Sequence, residues 1–171
     1  DCLLQHGAAS VLGVDVGHDQ LHPRLRADAR VRVLEGINAR HLTATQLIAD
    51  DADVVRATAS SGPKFDLIVA DLSFISLTLV LPALVPLLAP GGQLLLLVKP
   101  QFELQPGAIG KGGIVRDAAQ HAAVEQRLRH AAAEAGLAVR HWRPSPIAGG
   151  DGNREFFLHA APAATTPESR P

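Results

Sequence analysis

The sequence predicts an α/β fold whose core is a layered, mostly parallel sheet. Three observations carry that reading. Short apolar runs alternate with helical stretches along the chain. Two of the runs, Phe65–Ala70 and Leu94–Val98, are apolar almost throughout, as strands buried on both faces should be. The last two runs, Leu137–Trp142 and Arg154–Ala160, are joined by a loop too short for a helical crossover, so they are expected to pair antiparallel.

The elements follow in order. Asp1 to Gly7 reads as the last turns of a helix closed by glycine. A helix entered halfway is expected to have lost its beginning, so the chain reads as a fragment. Val11 to Asp15 is a short strand ending on an acid, and His18 to Arg26 a brief helix, irregular around Pro23. Val31 to Leu34 is the next strand, Thr45 to Asp50 a helical turn or two, and Ser60 to Pro63 a loop. After Phe65–Ala70, Ser76 is placed to cap a helix running to Leu88, which Pro82 and Pro86 kink or break. Pro90-Gly91-Gly92 is a turn before the strand Gln93–Val98. Phe102 to Arg116 is a long polar loop, of a length that is usually functional or disordered. Asp117 opens a helix over Ala118–Ala135, closed by Gly136. Residues 1–160 are read as one domain and 161–171 as a flexible tail.

Composition narrows the function. At 171 residues and 47% apolar content the chain is one globular domain rather than a disordered segment. A net charge of −1, from 16 basic and 17 acidic residues, argues against binding dominated by non-specific nucleic-acid contacts. It leaves room for a local basic patch. The single cysteine, Cys2, has no partner for an internal disulfide, so cytoplasmic chemistry is the default. No apolar run approaches the ~20 residues that span a bilayer, and no secretory segment opens the chain.

Ligands in open α/β sheets bind beyond the carboxyl ends of strands. The Phe65 strand ends on Asp71, the Leu94 strand ends on Lys99, and the final strand is entered beside Glu155. An acid, a base and another acid at three strand mouths make a candidate catalytic set. The histidines show no metal-ligand pattern: His18 and His22 have helical spacing, but neither an intervening glutamate nor a third ligand. Gly110 to Gly113 lacks the order of a P-loop.

Several blocks together resemble one family. They are Val14 to Leu21 with Leu25 to Asp28, Glu35 to Arg40, Phe65 to Ser76, and Leu97 to Glu103 continuing into Gly110 to Asp117. Ser145-Pro146-Ile147 and Gly152 to Leu158 finish the pattern. The chain resembles the haemolysin-A-like family of ribosomal RNA ribose 2′-O-methyltransferases, which carry an FtsJ-like catalytic domain. Parallel strands finished by a reversed hairpin also suit a Rossmann-like methyltransferase sheet better than an ordinary dinucleotide fold. The resemblance implies S-adenosylmethionine as cofactor and ribosomal RNA or a ribosomal subunit as partner. By position, Asp71, Lys99 and Glu155 look like three members of a Lys-Asp-Lys-Glu tetrad. The first lysine, the glycine-rich turn for the methionine moiety and an S4-like RNA-binding domain would precede this chain. So would the sheet's first strand, expected between the Val11 and Phe65 strands. Three outcomes are then expected: a closed-up sheet, an element exchanged in a homodimer, or absent residues that belong to the protein.

The residues can be assigned roles on that footing. Lys99 would stand beside the attacking ribose hydroxyl. Neutral, it would accept the proton; charged, it would orient the hydroxyl and stabilise developing negative charge. Asp71 and Glu155 would hold the lysine and orient the ribose. Asp15 is placed to take a cofactor's ribose hydroxyls, with Val16 beside it, and Asp71 also borders the cofactor. Asn38 would approach the adenine edge, or else bond its own backbone in a turn. Phe74 and Phe102 would stack on the substrate or pack internally. Lys111, Gly112, Gly113 and Arg116 form a basic loop suited to phosphate, or a solvated one. Two rival readings remain at this level: a non-catalytic RNA-binding or scaffold domain, and a membrane-active protein, for which no segment is long or amphipathic enough.

Overall fold

In the described residues, six strands form two sheets. The computed structural model describes residues 1–48, 62–105, 107, 109–110, 112–150 and 152–164. The chain divides into two units, Asp1–Pro63 and Lys64–Pro171.

In the first unit, helix α1 (Cys2–Gln5) precedes strand β1 (Val11–Val14). Strand β1 pairs in parallel with β2 (Val31–Leu34), from Val11 opposite Val31 to Val14 opposite Leu34. Helix α2 (Pro23–Arg26) lies between them in sequence. The helix expected from His18 starts only at Pro23. A proline in the first turn gives up a hydrogen that has no partner there, so it begins the helix instead of interrupting it. The His22 ring caps it, accepting from the Arg24 amide at 3.1 Å. Helix α3 (Ala44–Ile48) follows, and among the described residues of this unit Leu4, Leu34, Leu42 and Leu47 are buried.

The second unit holds a four-stranded sheet in the order β3-β4-β6-β5. Strands β3 (Phe65–Asp71) and β4 (Leu88–Val98) are parallel. Strand β6 (Phe156–Pro162) runs antiparallel to both β4 and β5 (Leu137–Pro144), as the short final connection requires. The helix expected after Ser76 is broken into a 3-10 turn (Leu77–Leu79), helix α4 (Leu81–Leu84) and a second 3-10 turn (Val85–Leu87). Pro82 and Pro86 each sit in the first turn of a new piece, where a missing N–H costs least. Pro90-Gly91-Gly92 lies inside β4 rather than before it. The ladder jumps from Phe65–Leu88 to Leu67–Gln93, so the extra residues bulge. Gly92 is required there, because a Cβ would stand 2.7 Å from the Phe65 carbonyl oxygen.

Helix α5 (Pro100–Glu103) follows β4, and α6 (Ala118–Glu134) packs on β5. Asp117 caps α6 by accepting from the Ala119 amide at 2.8 Å. Val124, Leu128 and Ala132 of α6 are buried with Leu94, Leu96, Val98, Leu137, Leu158 and Ala160. Each leucine so buried contributes about 1.5–3 kcal/mol. The expectation that the Phe65 strand is covered on both faces is corrected: Leu67 and Val69 are 41% and 47% exposed. Strand β3 is the edge of its sheet, and its apolar side chains look partly to solvent.

Candidate active site

Strand register builds the site in the second unit. Asp71 pairs with Leu97 across the parallel β3–β4 ladder, and Val98 pairs with Phe156 across β4–β6. Lys99 and Glu155 therefore stand one step past the last rung of neighbouring strands, at the end where β3 finishes on Asp71. The lysine amine closes onto the neighbouring strand: Nζ lies 2.7 Å from Asp71 Oδ1 and donates to Ser73 Oγ at 3.0 Å. The expected convergence is partial, because Lys99 pairs with Asp71 and not with Glu155. The Glu155 side chain is buried, 7% exposed, with its carboxyl against Gly149.

The turn after β3 presents Phe74 to solvent. It has a positive φ of 64° and is 90% exposed, and its ring centroid lies 5.0 Å from that of Phe102. A bulky residue in this backbone region stores strain. Next to Phe102 in sequence, the Glu103 carboxylate accepts from Ser76 Oγ at 2.6 Å and from the Leu77 amide at 2.7 Å. Arg127 of α6 donates to the Glu103 backbone oxygen. Burial pushes the Glu103 carboxyl above the usual range, against the opposing pull of Ser76, Leu77 and Arg127.

The basic loop is held by one buried amide. Asn153 Oδ1 accepts from the Val115 amide at 2.9 Å, and its Nδ2 donates to the Gly113 carbonyl at 3.0 Å. Gly112 and Gly113 adopt positive φ, and Arg116 is exposed. Lys111 lies outside the described residues. Among the described residues, no group of three or more His, Cys, Asp or Glu is placed to hold a metal ion, and no helix is long and apolar enough to cross a membrane.

In the first unit, Asp15 extends β1: its amide donates to Leu34, and its carbonyl accepts from Ile37. One carboxylate oxygen is taken by the Gly17 amide at 2.7 Å. The other makes no hydrogen bond among the described residues, and Val16 beside it is 68% exposed. An acid with a spare oxygen next to an open apolar side chain fits the ribose and base of a nucleoside cofactor. Asn38 makes the turn that the sequence allowed, its Oδ1 accepting from the Arg40 amide at 2.9 Å. Its Nδ2 and the second lone pair of Oδ1 make no other hydrogen bond among the described residues.

Ser73, Glu103 and Asn153, which bond into this region, were not singled out from the sequence. All three lie inside the blocks that carry the family resemblance, and that membership was the available signal.

The family model for FtsJ-like methyltransferases matches residues 1–161. The chain belongs to the FtsJ-like methyltransferase family. It is 42% identical over 158 residues to the 16S/23S rRNA (cytidine-2′-O)-methyltransferase TlyA of Mycobacterium tuberculosis, covering 92% of this chain and 54% of that protein. It is 35% identical over 159 residues to Hemolysin A of Brachyspira hyodysenteriae, covering 93% of this chain and 61% of that protein. A solved structure with a hemolysin designation from Streptococcus thermophilus superposes with a TM-score of 0.81 at 41% identity, covering 94% of this chain and 53% of that one. The methyltransferase named CcbJ from Streptomyces caelestis, at 16% identity and a TM-score of 0.58, shares the fold. This FtsJ-like chain has the Rossmann-like fold of S-adenosylmethionine-dependent methyltransferases, and it spans about half the length of the first curated relatives it matches.

Proposed function

We propose that this FtsJ-like domain serves methyl transfer from S-adenosylmethionine to a ribose 2′-hydroxyl of ribosomal RNA, in the cytoplasm. The observation that carries the reading is the Lys99–Asp71 pair at 2.7 Å, set at the carboxyl ends of two parallel strands. The kinship with a protein named as an rRNA 2′-O-methyltransferase supports it. The bound cofactor would supply a methyl group on a sulfonium.

The chain's own residues supply the rest. An alcohol is a poor nucleophile until its proton is drawn away. An ammonium offers three donors, and Asp71 and Ser73 engage two of those on Lys99. The third would face the substrate oxygen, orienting the hydroxyl and offsetting the negative charge that grows during attack while the hydroxyl proton passes to solvent. As a neutral amine, Lys99 would keep two hydrogens for Asp71 and Ser73 and accept that proton itself. Glu155, next to Lys99 in strand register, would orient the ribose. Asp15 and Val16 would hold the cofactor's nucleoside, with Asn38 at the adenine edge and Asp71 beside the cofactor. Phe74 and Phe102 would stack on the target nucleotide, and Gly112, Gly113, Arg116 and Lys111 would contact phosphate.

The test incubates the complete gene product with methyl-labelled S-adenosylmethionine and ribosomal subunits. Label is expected in ribosomal RNA as an alkali-resistant dinucleotide, the mark of a methylated 2′-oxygen. Binding of both ligands with no label transferred would leave the scaffold reading instead.

A further inference from the structure

Burying a carboxylate costs free energy unless its bonds return it. Glu103 is 2% exposed, yet it is an acid rather than an apolar residue. Its two oxygens are spent on the turn after β3, one on the Ser76 hydroxyl and one on the Leu77 amide. Its backbone belongs to the turn after β4, where Lys99 stands at the N-cap position of α5 without a side-chain cap bond. A third element joins through Arg127, which donates to the Glu103 carbonyl and lies 3.4 Å from Thr78 Oγ1.

The two turns that Glu103 fastens grow directly from Asp71 and Lys99. On the solvent side, the Phe74–Phe102 ring contact also joins them. On the inner side, the carboxylate bonds are directional and fix their relative height. The Lys99 amine must reach across from β4 to Asp71 and Ser73 on β3. A small slip between the turns would break that contact first, because the site is built from groups on both.

We propose that Glu103 is a positioning residue: by fastening Ser76 and Leu77 to α5, it sets the Asp71–Ser73–Lys99 contact. The consequence for catalysis rests on the reading of Lys99 as the group beside the reacting hydroxyl.

The test uses the complete gene product with Glu103→Ala, Glu103→Gln and Ser76→Ala. Glutamine can accept from Leu77 and donate to Ser76 Oγ, so it keeps the fastening without the charge. Glu103→Ala is expected to lower kcat about a hundredfold, the scale of a displacement near 1 Å, with KM for S-adenosylmethionine within about twofold of wild type. Glu103→Gln should recover most of that loss, and Ser76→Ala should cost about tenfold in kcat, as the loss of one bond would. Independently of turnover, acylation of Lys99 by acetic anhydride should be several-fold faster in Glu103→Ala, read by peptide mass spectrometry. Unchanged kcat and unchanged Lys99 labelling in a folded Glu103→Ala protein would overturn the proposal. So would a Glu103→Gln variant as impaired as the alanine one. Where Glu103→Ala fails to fold, Ser76→Ala decides: full activity and normal labelling overturn the proposal, and loss of both supports it. A wild type that transfers no methyl sinks the methyltransferase reading, while the labelling ratio still decides the role of Glu103 in setting the contact.

Discussion

Gly149 makes room for Glu155: a Cβ at position 149 would stand 2.6 Å from Glu155 Oε1 and 3.1 Å from its Cδ. The glycine backbone has little freedom to retreat, because its amide donates to the Asn153 carbonyl at 2.9 Å. The buried carboxyl must therefore move. Gly149→Ala is expected to cost at most about 1 kcal/mol in stability, because the clash falls on the end of a flexible side chain, and to lower methyl transfer by at least about tenfold. Gly150→Ala is the control, since a Cβ there meets open space. Thermal unfolding and turnover of the two variants, side by side, check this.

Lys99 supplies the second prediction. Lys99→Ala should abolish methyl transfer and leave S-adenosylmethionine affinity close to wild type, measured by calorimetry. Asp71→Asn retains a hydrogen-bond acceptor for the amine and removes the ion pair. It should give an intermediate loss. Near-normal turnover in Lys99→Ala would remove this residue from the reaction.

Glu103 gives a pH dependence whose sign can be worked out. Burial raises its folded value above the ordinary carboxylate range. The folded chain then holds the proton more tightly than the unfolded chain. The stability that this carboxyl contributes is full below its unfolded value and is lost as pH rises through the raised folded value. Glutamine does not titrate. Glu103→Gln should therefore gain stability relative to wild type as pH rises from about 4 to about 8, read from urea midpoints across that range. A difference that stays flat with pH would show that burial imposes no such penalty.

The sequence carried the strands better than the segments between them. Val11–Val14, Val31–Leu34 and the final antiparallel pair were legible because apolar runs and connection length fix them locally. The bulge at Pro90-Gly91-Gly92 was not, because only the facing Phe65 carbonyl shows that those residues stay inside the strand. At the site, Asp71 and Lys99 were legible as charges at strand mouths. Ser73, Glu103 and Asn153 were not, because their roles are bonds to partners far along the chain, such as Leu77 and Val115. The exposure of β3 was also beyond reach. An apolar run says what could be buried, not what lies beside it.

Phe74 couples backbone strain to an exposed ring. Its φ of 64° costs a non-glycine residue about 1–2 kcal/mol. Phe74→Gly relieves that strain and forfeits the ring contact with Phe102, worth about 0.5–1.5 kcal/mol. The two nearly cancel, so the unfolding free energy should shift by no more than about 1 kcal/mol. RNA affinity should fall, because base stacking on an aromatic is worth about 1–3 kcal/mol. Denaturant unfolding and filter binding to ribosomal RNA separate the two effects. A large stability loss with unchanged RNA affinity would make Phe74 a packing residue.

Asn153 and Arg116 should separate in the same assays. The Asn153 amide satisfies the buried Val115 N–H and the Gly113 carbonyl, and no backbone partner replaces it. Asn153→Ala leaves the buried Val115 N–H unpaired, at about 1–3 kcal/mol, while the carbonyl of exposed Gly113 can turn to water. The variant should therefore unfold at markedly lower urea, and the loop that carries Arg116 should lose its anchor. Arg116 is exposed, so Arg116→Gln should leave stability within about 0.5 kcal/mol. Its effect belongs to RNA binding. If the guanidinium neutralises one phosphate, the slope of log affinity against log salt should become shallower by about 0.7–0.9. An unchanged slope would place Arg116 in solvent and away from the RNA. A shallower slope, with stability intact, would separate a phosphate contact from the structural clamp that presents it.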